Sequence, residues 1–410
     1  MEDCIIIGAG AAGLFAAGAA VHAGKRVTVL EHMDAPGKKL LITGKGRCNV
    51  TNNCGPDEFL KNVRRNPRFL YSALNACPPA FVMELLEKGL GVPLKTERGR
   101  RVFPQSDRAQ DVLDALLRWA KGARLRYEGA RELMLENGRC TGVRLQSGEA
   151  LRAGAVLVAT GGVSYPVTGS TGDGYLLAHR LGHAIVEIRP SLTPLETSLP
   201  FAESLKGLRL KNISARLAID DRYVQQEFGE LEFTPFVSGP VTLRMSRQAV
   251  DALIDGQRVA VDLDLKPALN PTQLRERIAR EAETLGPQAP LSSLLRKLLP
   301  AQLIRPFAAS LQIPERLPLN AVKAPELDKI VGQLKLFRLP ISDYRPFEEA
   351  IVTAGGVSTA EVDPQTMQSR LVKGLYFAGE LLDIDADTGG YNLQIAYSTG
   401  HLAGQMLGNK

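Results

Sequence analysis

Gly8, Gly10 and Gly13 follow a short β-branched run in CIIIGAGAAG, and Glu31 ends a second such run, RVTVLE. Glycines at this spacing let a backbone turn tightly at Gly8, touch a pyrophosphate at Gly10 and pack helix on strand at Gly13. Ala11 and Ala12 open the helical stretch between the runs, whose first N–H groups and positive dipole end suit a diphosphate. A carboxylate at the end of the second strand, about 20 residues on, accepts hydrogen bonds from an adenosine ribose. These residues are built to hold a dinucleotide.

Three further constellations lie far apart in the chain. PGKKLLITGKGRCNVTN follows the first unit directly and carries Lys39, Gly44, Gly46, Arg47, Cys48 and Asn49. Its glycines predict a ligand packed against backbone, with Lys45 or Arg47 offsetting phosphate or flavin charge. AVLVATGG ends in Thr160, Gly161 and Gly162, and Thr171, Gly172 and Asp173 then open an amphipathic helix. GLYFAGELLD places Gly379 and Glu380 after a short strand, and Gly389, Gly390, Tyr391 and Asn392 start the last helix. An NAD-only domain rarely needs such a C-terminal return. FAD does, because its ribityl chain and isoalloxazine extend beyond the AMP-binding half. Glu380 is placed to accept a ribityl hydroxyl. The N–H groups at Gly389–Asn392 can face the pyrimidine edge of the flavin and favour its reduced, anionic form.

Hydride transfer then belongs to the flavin, and few protein groups are obligatory. Reduction of a C=C bond would still need a proton donor. Tyr165 and Tyr391, in two flavin-facing loops, are the candidates to donate it or to touch substrate, and Cys48, beside the flavin loop, is a candidate catalytic thiol; inert packing of the thiol, and of the rings on the isoalloxazine, is the alternative reading. Arg244, Arg247 and Arg345 could bind an anionic substrate or be solvated surface cations. His179 and His183 lack a third ligand, so no metal is expected. Leu94 to Arg131 holds ten Lys/Arg against five Asp/Glu. With ERGRR inside it and RRNPR at Arg64–Arg68, that basic stretch could contact RNA phosphates or be a solvated face.

The elements around these residues point to an α/β chain with an insertion. ISARLAID and VAVDLDL alternate apolar and polar residues, as half-buried antiparallel strands do. From Asn270 the pattern turns helical: Asn270 suits an N-cap, Pro271 the first turn, and Leu274, Ile278, Ala282 and Leu285 share one face. The 410 residues, 44% hydrophobic and 23% charged, are ordinary for a globular protein, and a net charge of +6 permits an anionic partner. Five scattered cysteines form no C-x-x-C pair and no zinc spacing, and Met1-Glu2-Asp3 is not the start of a signal peptide, so a reduced, cytoplasmic protein is expected. No apolar run long enough to span a membrane is visible. No second complete G-x-G-x-x-G occurs, so NAD(P)H would act as a transient electron donor at the flavin face.

Together these segments resemble the BaiN/RdsA (YhiN-like, aminoacetone oxidase-like) family of FAD-dependent oxidoreductases. The matching stretches include GAGAAG, GKGRCNVTN, ATGGVSYPVTGSTGDGY, RPFEEAIVTAGGVS and GLYFAGELLDIDADTGGYNLQ, and with GELEFTPFVSGPVTLRMSR between them they run from residue 8 to residue 394. The resemblance implies a glutathione-reductase-type, Rossmann-like FAD domain (residues 1–190 and 350–410). It would be interrupted by a β-rich, barrel-like domain (191–268 and 335–349) and a small helical subdomain (269–334). Pro235 stands where the family favours a histidine, so no role is carried to that position. Family members reduce conjugated bile-acid enones, resemble amine oxidases, or make dihydrouridine in 23S ribosomal RNA. Uracil is itself enone-like, so an NAD(P)H-driven reductase of an activated C=C bond is expected, with rRNA uridine the leading substrate. A small-molecule reductase or oxidase, and a non-catalytic flavin-binding partner protein, are the other readings.

Overall fold

The β-branched run Glu2–Ile7 forms a parallel strand between Val27–Glu31 and Ala150–Val158, with Ile5 opposite both Thr28 and Val156. Side chains on both faces of this strand are buried from Cys4 to Ile7, as a run of apolar residues without alternation requires. Arg124–Tyr127 flanks Val27–Glu31, and Arg139–Leu145 and Ala130–Glu136 complete the far side of a seven-stranded sheet. The long strand Ala150–Val158 serves two further partners besides Glu2–Ile7: its start pairs antiparallel with Arg139–Leu145, its end parallel with Leu375–Phe377. That second pairing brings the C-terminal segment beside the N-terminal one.

The computed structural model describes residues 2–408, and the chain divides into two compact units, Met1–Ser191 with Phe347–Lys410, and Leu192–Pro346. In the first unit the alanine-rich helix Ala11–His22 lies against the last helix, Tyr391–Met406. A Cβ at Gly400 would stand 2.4 Å from the Ala12 carbonyl oxygen, so the two helix backbones approach as closely as side chains allow. Ile185–Ser191 pairs with Val352–Val357, and Thr51–Asn52, Arg101–Pro104 and Leu94–Glu97 make a small antiparallel sheet.

Against the sequence expectation, the helical stretch Pro67–Gly89 is long and apolar enough to cross a membrane, with a mean hydropathy of 1.2 over its 18-residue apolar window. Cys77 and Pro78 interrupt it between Tyr71–Ala76 and Pro79–Glu84, and Leu70, Ala73, Leu74, Val82 and Leu86 are buried in the core of the first unit.

The second unit contains a closed barrel, in the order Leu195–Thr197, Val237–Ser238, Arg222–Phe233, Arg209–Ile219, Val259–Asp264, Phe337–Tyr344. The runs ISARLAID and VAVDLDL are neighbouring antiparallel strands of it. Asn270 caps Pro271–Leu285 through a capping box with Gln273, and Leu274 and Ile278 are buried on the expected face. The helices Leu291–Leu298, Ala301–Ser310 and Ala324–Lys335 follow. Their apolar faces and the barrel's Val261, Leu263 and Phe337 belong to one hydrophobic cluster.

Candidate functional site

The first turn of the chain is shaped by what a side chain would hit. A Cβ on Gly8, whose φ is 104°, would lie 2.5 Å from the Ala159 carbonyl oxygen; one on Gly13 would lie 1.8 Å from that of Gly8. Only glycine fits either position. A Cβ on Gly10 would meet nothing within 4 Å, which leaves open space in front of the helix start. Gly10 is the N-cap of Ala11–His22 and offers no side-chain cap, so the first N–H groups of the helix are available to an anion. Glu31 accepts Ala9 N–H on one oxygen at 3.0 Å and Met33 N–H on the other at 2.9 Å, so each oxygen keeps acceptor capacity. A Cβ on Gly169 would lie 2.8 Å from the Met33 side chain, which places the loop after Ser164 beside the end of the second strand.

Four distant segments meet at one ion pair. Lys39 Nζ donates to Glu380 Oε2 at 2.7 Å and to Ser164 Oγ at 2.6 Å. The other oxygen of Glu380 accepts Ser164 Oγ at 3.0 Å and Thr353 N–H at 2.8 Å. The Thr353 hydroxyl in turn accepts the N–H groups of Val163 and Ser164. The Glu380 carboxylate is thus fixed by protein donors, and its ribityl role narrows to whatever acceptor capacity they leave. Beside this knot the Thr160 hydroxyl is buried with no partner among the described residues. Gly161 and Gly172 have left-handed φ values of 76° and 85°; a Cβ on Gly162 would lie 2.4 Å from Thr353 Oγ1. Thr171 and Asp173 flank Gly172, which caps the helix Asp173–His179. Gly379 leaves room for Ala12, whose Cβ would lie 2.8 Å from one placed on Gly379.

The GKGRC loop winds through four left-handed residues: Gly44, Lys45, Gly46 and Cys48. Two expectations for it need correcting. Arg47 does not present its charge to a phosphate: its guanidinium pairs with Glu97 and with Asp107, and lies 4.1 Å from the centre of the Phe103 ring. Cys48 is wholly buried, and burial pushes its thiol up to about 12, so it is not a ready thiolate nucleophile. Asn49 accepts Gly390 N–H at 2.9 Å, with its amide nitrogen turned to the Thr51 and Val102 carbonyls. Asn52 donates to the Gly389 carbonyl at 3.0 Å, and a Cβ on Gly390 would lie 2.3 Å from the Thr51 carbonyl. This strand therefore clasps the Gly389–Gly390 turn. The Asn392 side chain closes its own turn, accepting Ala386 N–H and donating to the Ala386 carbonyl, and is not itself directed to a cofactor.

Tyr391 packs edge-on against Phe59, with ring centres 5.1 Å apart, and burial with nearby Cys54, Glu58 and Asp387 raises its hydroxyl to about 12. Tyr165 sits in a left-handed turn, its hydroxyl raised by burial and by Glu349. Both tyrosines hold their protons at neutral pH. Arg244, Arg247 and Arg345 pair with Glu227, Asp251 and Glu196 inside the second unit. His179 and His183 do not share a helix: the helix ends at His179, and His183 is buried between Glu361 and Ser369. No cluster that could hold a metal occurs among the described residues. Sequence reasoning missed Ser164 and Thr353, which hold Glu380, and Thr51 and Asn52, which clasp the Gly389–Gly390 turn. All lie within or beside the motifs already singled out, but nothing in their types marks them until the fold joins the segments.

Comparison with known proteins gives this arrangement a family. The model of the HI0933-like protein Rossmann domain matches residues 2–406. The chain belongs to the HI0933-like family. It is 33% identical to the 3-dehydro-bile acid delta(4,6)-reductase of Clostridium scindens, over 98% of this chain and 97% of that protein. It is 30% identical to the ribosomal RNA dihydrouridine synthase of Escherichia coli, over 99% and 98%. The Haemophilus influenzae protein of the same name is 31% identical over 98% and 97%. Among solved structures, the 3-ketosteroid delta1-dehydrogenase of Sterolibacterium denitrificans shares the fold at 14% identity, covering 99% of each chain with a TM-score of 0.52. The BaiN/RdsA resemblance is borne out, and this HI0933-like chain is an FAD-dependent oxidoreductase. An enzyme of this kind is not the non-catalytic flavin binder held open by the sequence.

The residues present fit FAD. The open space at Gly10, the unsatisfied helix start, the spare acceptor capacity of Glu31 and the unpartnered Thr160 hydroxyl all lie on the segments that the sequence assigned to the cofactor. FAD supplies hydride transfer when bound. With FAD bound, the backbone N–H groups at the start of Ala11–His22 would hold its phosphate, while Lys39 is fixed against Glu380 and the Gly389–Gly390 turn is held by the Thr51–Asn52 strand.

Proposed function

We propose that this HI0933-like enzyme uses NAD(P)H to reduce the activated C=C bond of a uridine in 23S ribosomal RNA. Its likeness over nearly the whole chain to two ribosomal RNA dihydrouridine synthases carries this reading. The 5,6 double bond of uracil is conjugated to a carbonyl, so hydride goes to the β carbon and a proton to the α carbon, while NAD(P)H is oxidised. Tyr165 and Tyr391 remain protonated at neutral pH and are the candidate proton donors. RNA would be met through basic surface. The five unpaired cysteines suit a reducing compartment, and we place the enzyme in the cytoplasm.

The 33% identity to a bile acid delta(4,6)-reductase supports a second reading, in which the acceptor is a small conjugated enone. The two readings share one chemistry and part at the substrate. Quantifying dihydrouridine by mass spectrometry in ribosomal RNA from a strain without the gene and from its complemented parent separates them. Loss of the nucleoside and its return on complementation is the expected result. Unchanged dihydrouridine sinks the RNA reading and moves the search to small enones that reoxidise the NAD(P)H-reduced enzyme.

A further inference from the structure

The RRNPR run, read from sequence as a possible phosphate contact, has another task in the fold. Arg64 forms a two-pronged pair with Asp387, Nε to Oδ1 at 2.7 Å and Nη2 to Oδ2 at 2.6 Å. Arg65 donates to Asp383 Oδ2 at 2.7 Å, and Asn66 donates to the same oxygen and to the Asp383 carbonyl. Backbone bonds run alongside: Arg64 N–H to the Asp385 carbonyl at 2.8 Å, and Asp387 N–H to the Asn62 carbonyl at 2.9 Å. The acidic side chains are only 4% and 6% exposed, for Asp383 and Asp387, whereas the arginines reach solvent at one edge. Residues 62–66 therefore grip residues 383–387 from both ends. The gripped segment leads straight into Gly389 and Gly390, where the last helix begins.

We propose that Arg64 and Arg65 are positioning residues for the flavin: they fix the 383–387 segment so that the N–H groups at the start of the last helix stand where the flavin needs them. A planar guanidinium forked onto a carboxylate sets distance and angle together, which a lysine cannot. The neighbouring turn lies close against the Thr51 backbone, where a Cβ on Gly390 would stand 2.3 Å from the carbonyl oxygen.

The test uses the full chain, stripped of FAD and titrated with it. Arg64→Gln and Asp387→Asn are each expected to weaken FAD binding about tenfold, within the range of indirect effects on a site. They should also shift the midpoint potential of the bound flavin downward, because the helix start that favours the anionic reduced form is held less well. The double variant should be no worse than the weaker-binding single, and Arg64→Lys should recover only part of the loss. Should Arg64→Gln fail to fold, Asp387→Asn and Arg64→Lys carry the same readings. Unchanged affinity and potential in these variants overturn the proposal, whether or not RNA binding falls. The proposal rests on the flavin lying at the Gly389–Asn392 helix start. If Gly390→Ala also leaves FAD binding untouched, it is that placement which fails; if Gly390→Ala alone abolishes binding while its apoprotein unfolds as the wild type does, only the clamp fails.

Discussion

Two buried side chains show how environment decides chemistry at the scale of the residue. Cys48 lies in a loop whose composition invites a catalytic thiol, yet burial keeps it protonated. With the thiol at about 12, only roughly one molecule in 10⁵ would carry a thiolate near neutral pH. Native enzyme is therefore expected to resist iodoacetamide at Cys48, read by peptide mass spectrometry, and Cys48→Ala should keep flavin reduction within about twofold. His401, on the last helix, is buried between Phe15 and Phe81, and its Nδ1 has no partner among the described residues. Burial lowers its pKa from 6.5 to about 4. The unfolded chain then binds the proton more readily between those values, so the stability contributed by the neutral ring is complete above the unfolded pKa and declines as pH falls. Between about pH 7.5 and pH 5 the loss amounts to about 2 kcal/mol. Urea denaturation at the two pH values should show that difference in the wild type and should show it shrink in His401→Leu. An equal acid slope in both would clear His401 of the effect.

At the scale of the element, the strand–turn–helix at the N-terminus separates folding from binding within a single motif. Gly13 meets the Gly8 carbonyl, and Gly10 faces open space. Gly13→Ala should thus destabilise the apoprotein by about 3 kcal/mol, as overpacking against backbone does. Gly10→Val should leave apoprotein unfolding nearly unchanged and weaken FAD binding about 100-fold, or roughly 3 kcal/mol. If Gly10→Val lowers stability as much as Gly13→Ala, the space at Gly10 is not a ligand cradle. This motif was legible in the sequence because its constraints are local: glycine spacing, a β-branched run and a terminal acid. The capped helix at Asn270 and the barrel strands ISARLAID and VAVDLDL were legible for the same reason, since period and cap chemistry lie in neighbouring residues. Contacts between distant segments were not. That Arg47 would be captured by Glu97 and Asp107, or that Ser164 would share Glu380 with Lys39, depends on a packing that no local pattern encodes.

At the scale of the whole molecule, the net charge of +6 says little until the paired cations are set aside. In the basic stretch, Lys95, Arg100, Arg101, Arg108 and Arg126 all have carboxylate partners. Lys121 and Arg124, exposed where the helix Ala109–Trp119 gives way to the edge strand Arg124–Tyr127, have no ion-pair partner among the described residues. If RNA is the substrate, counterion release makes these two the better phosphate contacts. Each phosphate neutralised steepens the fall of log affinity with log salt by about 0.7 for a single strand. Replacing both residues with glutamine should make the slope for an rRNA fragment shallower by about 1.5, while Arg64→Gln should leave it as it is. Filter binding across a salt series reads both numbers. A slope untouched by the double replacement would move the RNA footprint off this edge of the sheet. A slope lowered by Arg64→Gln would give that arginine back to the nucleic acid.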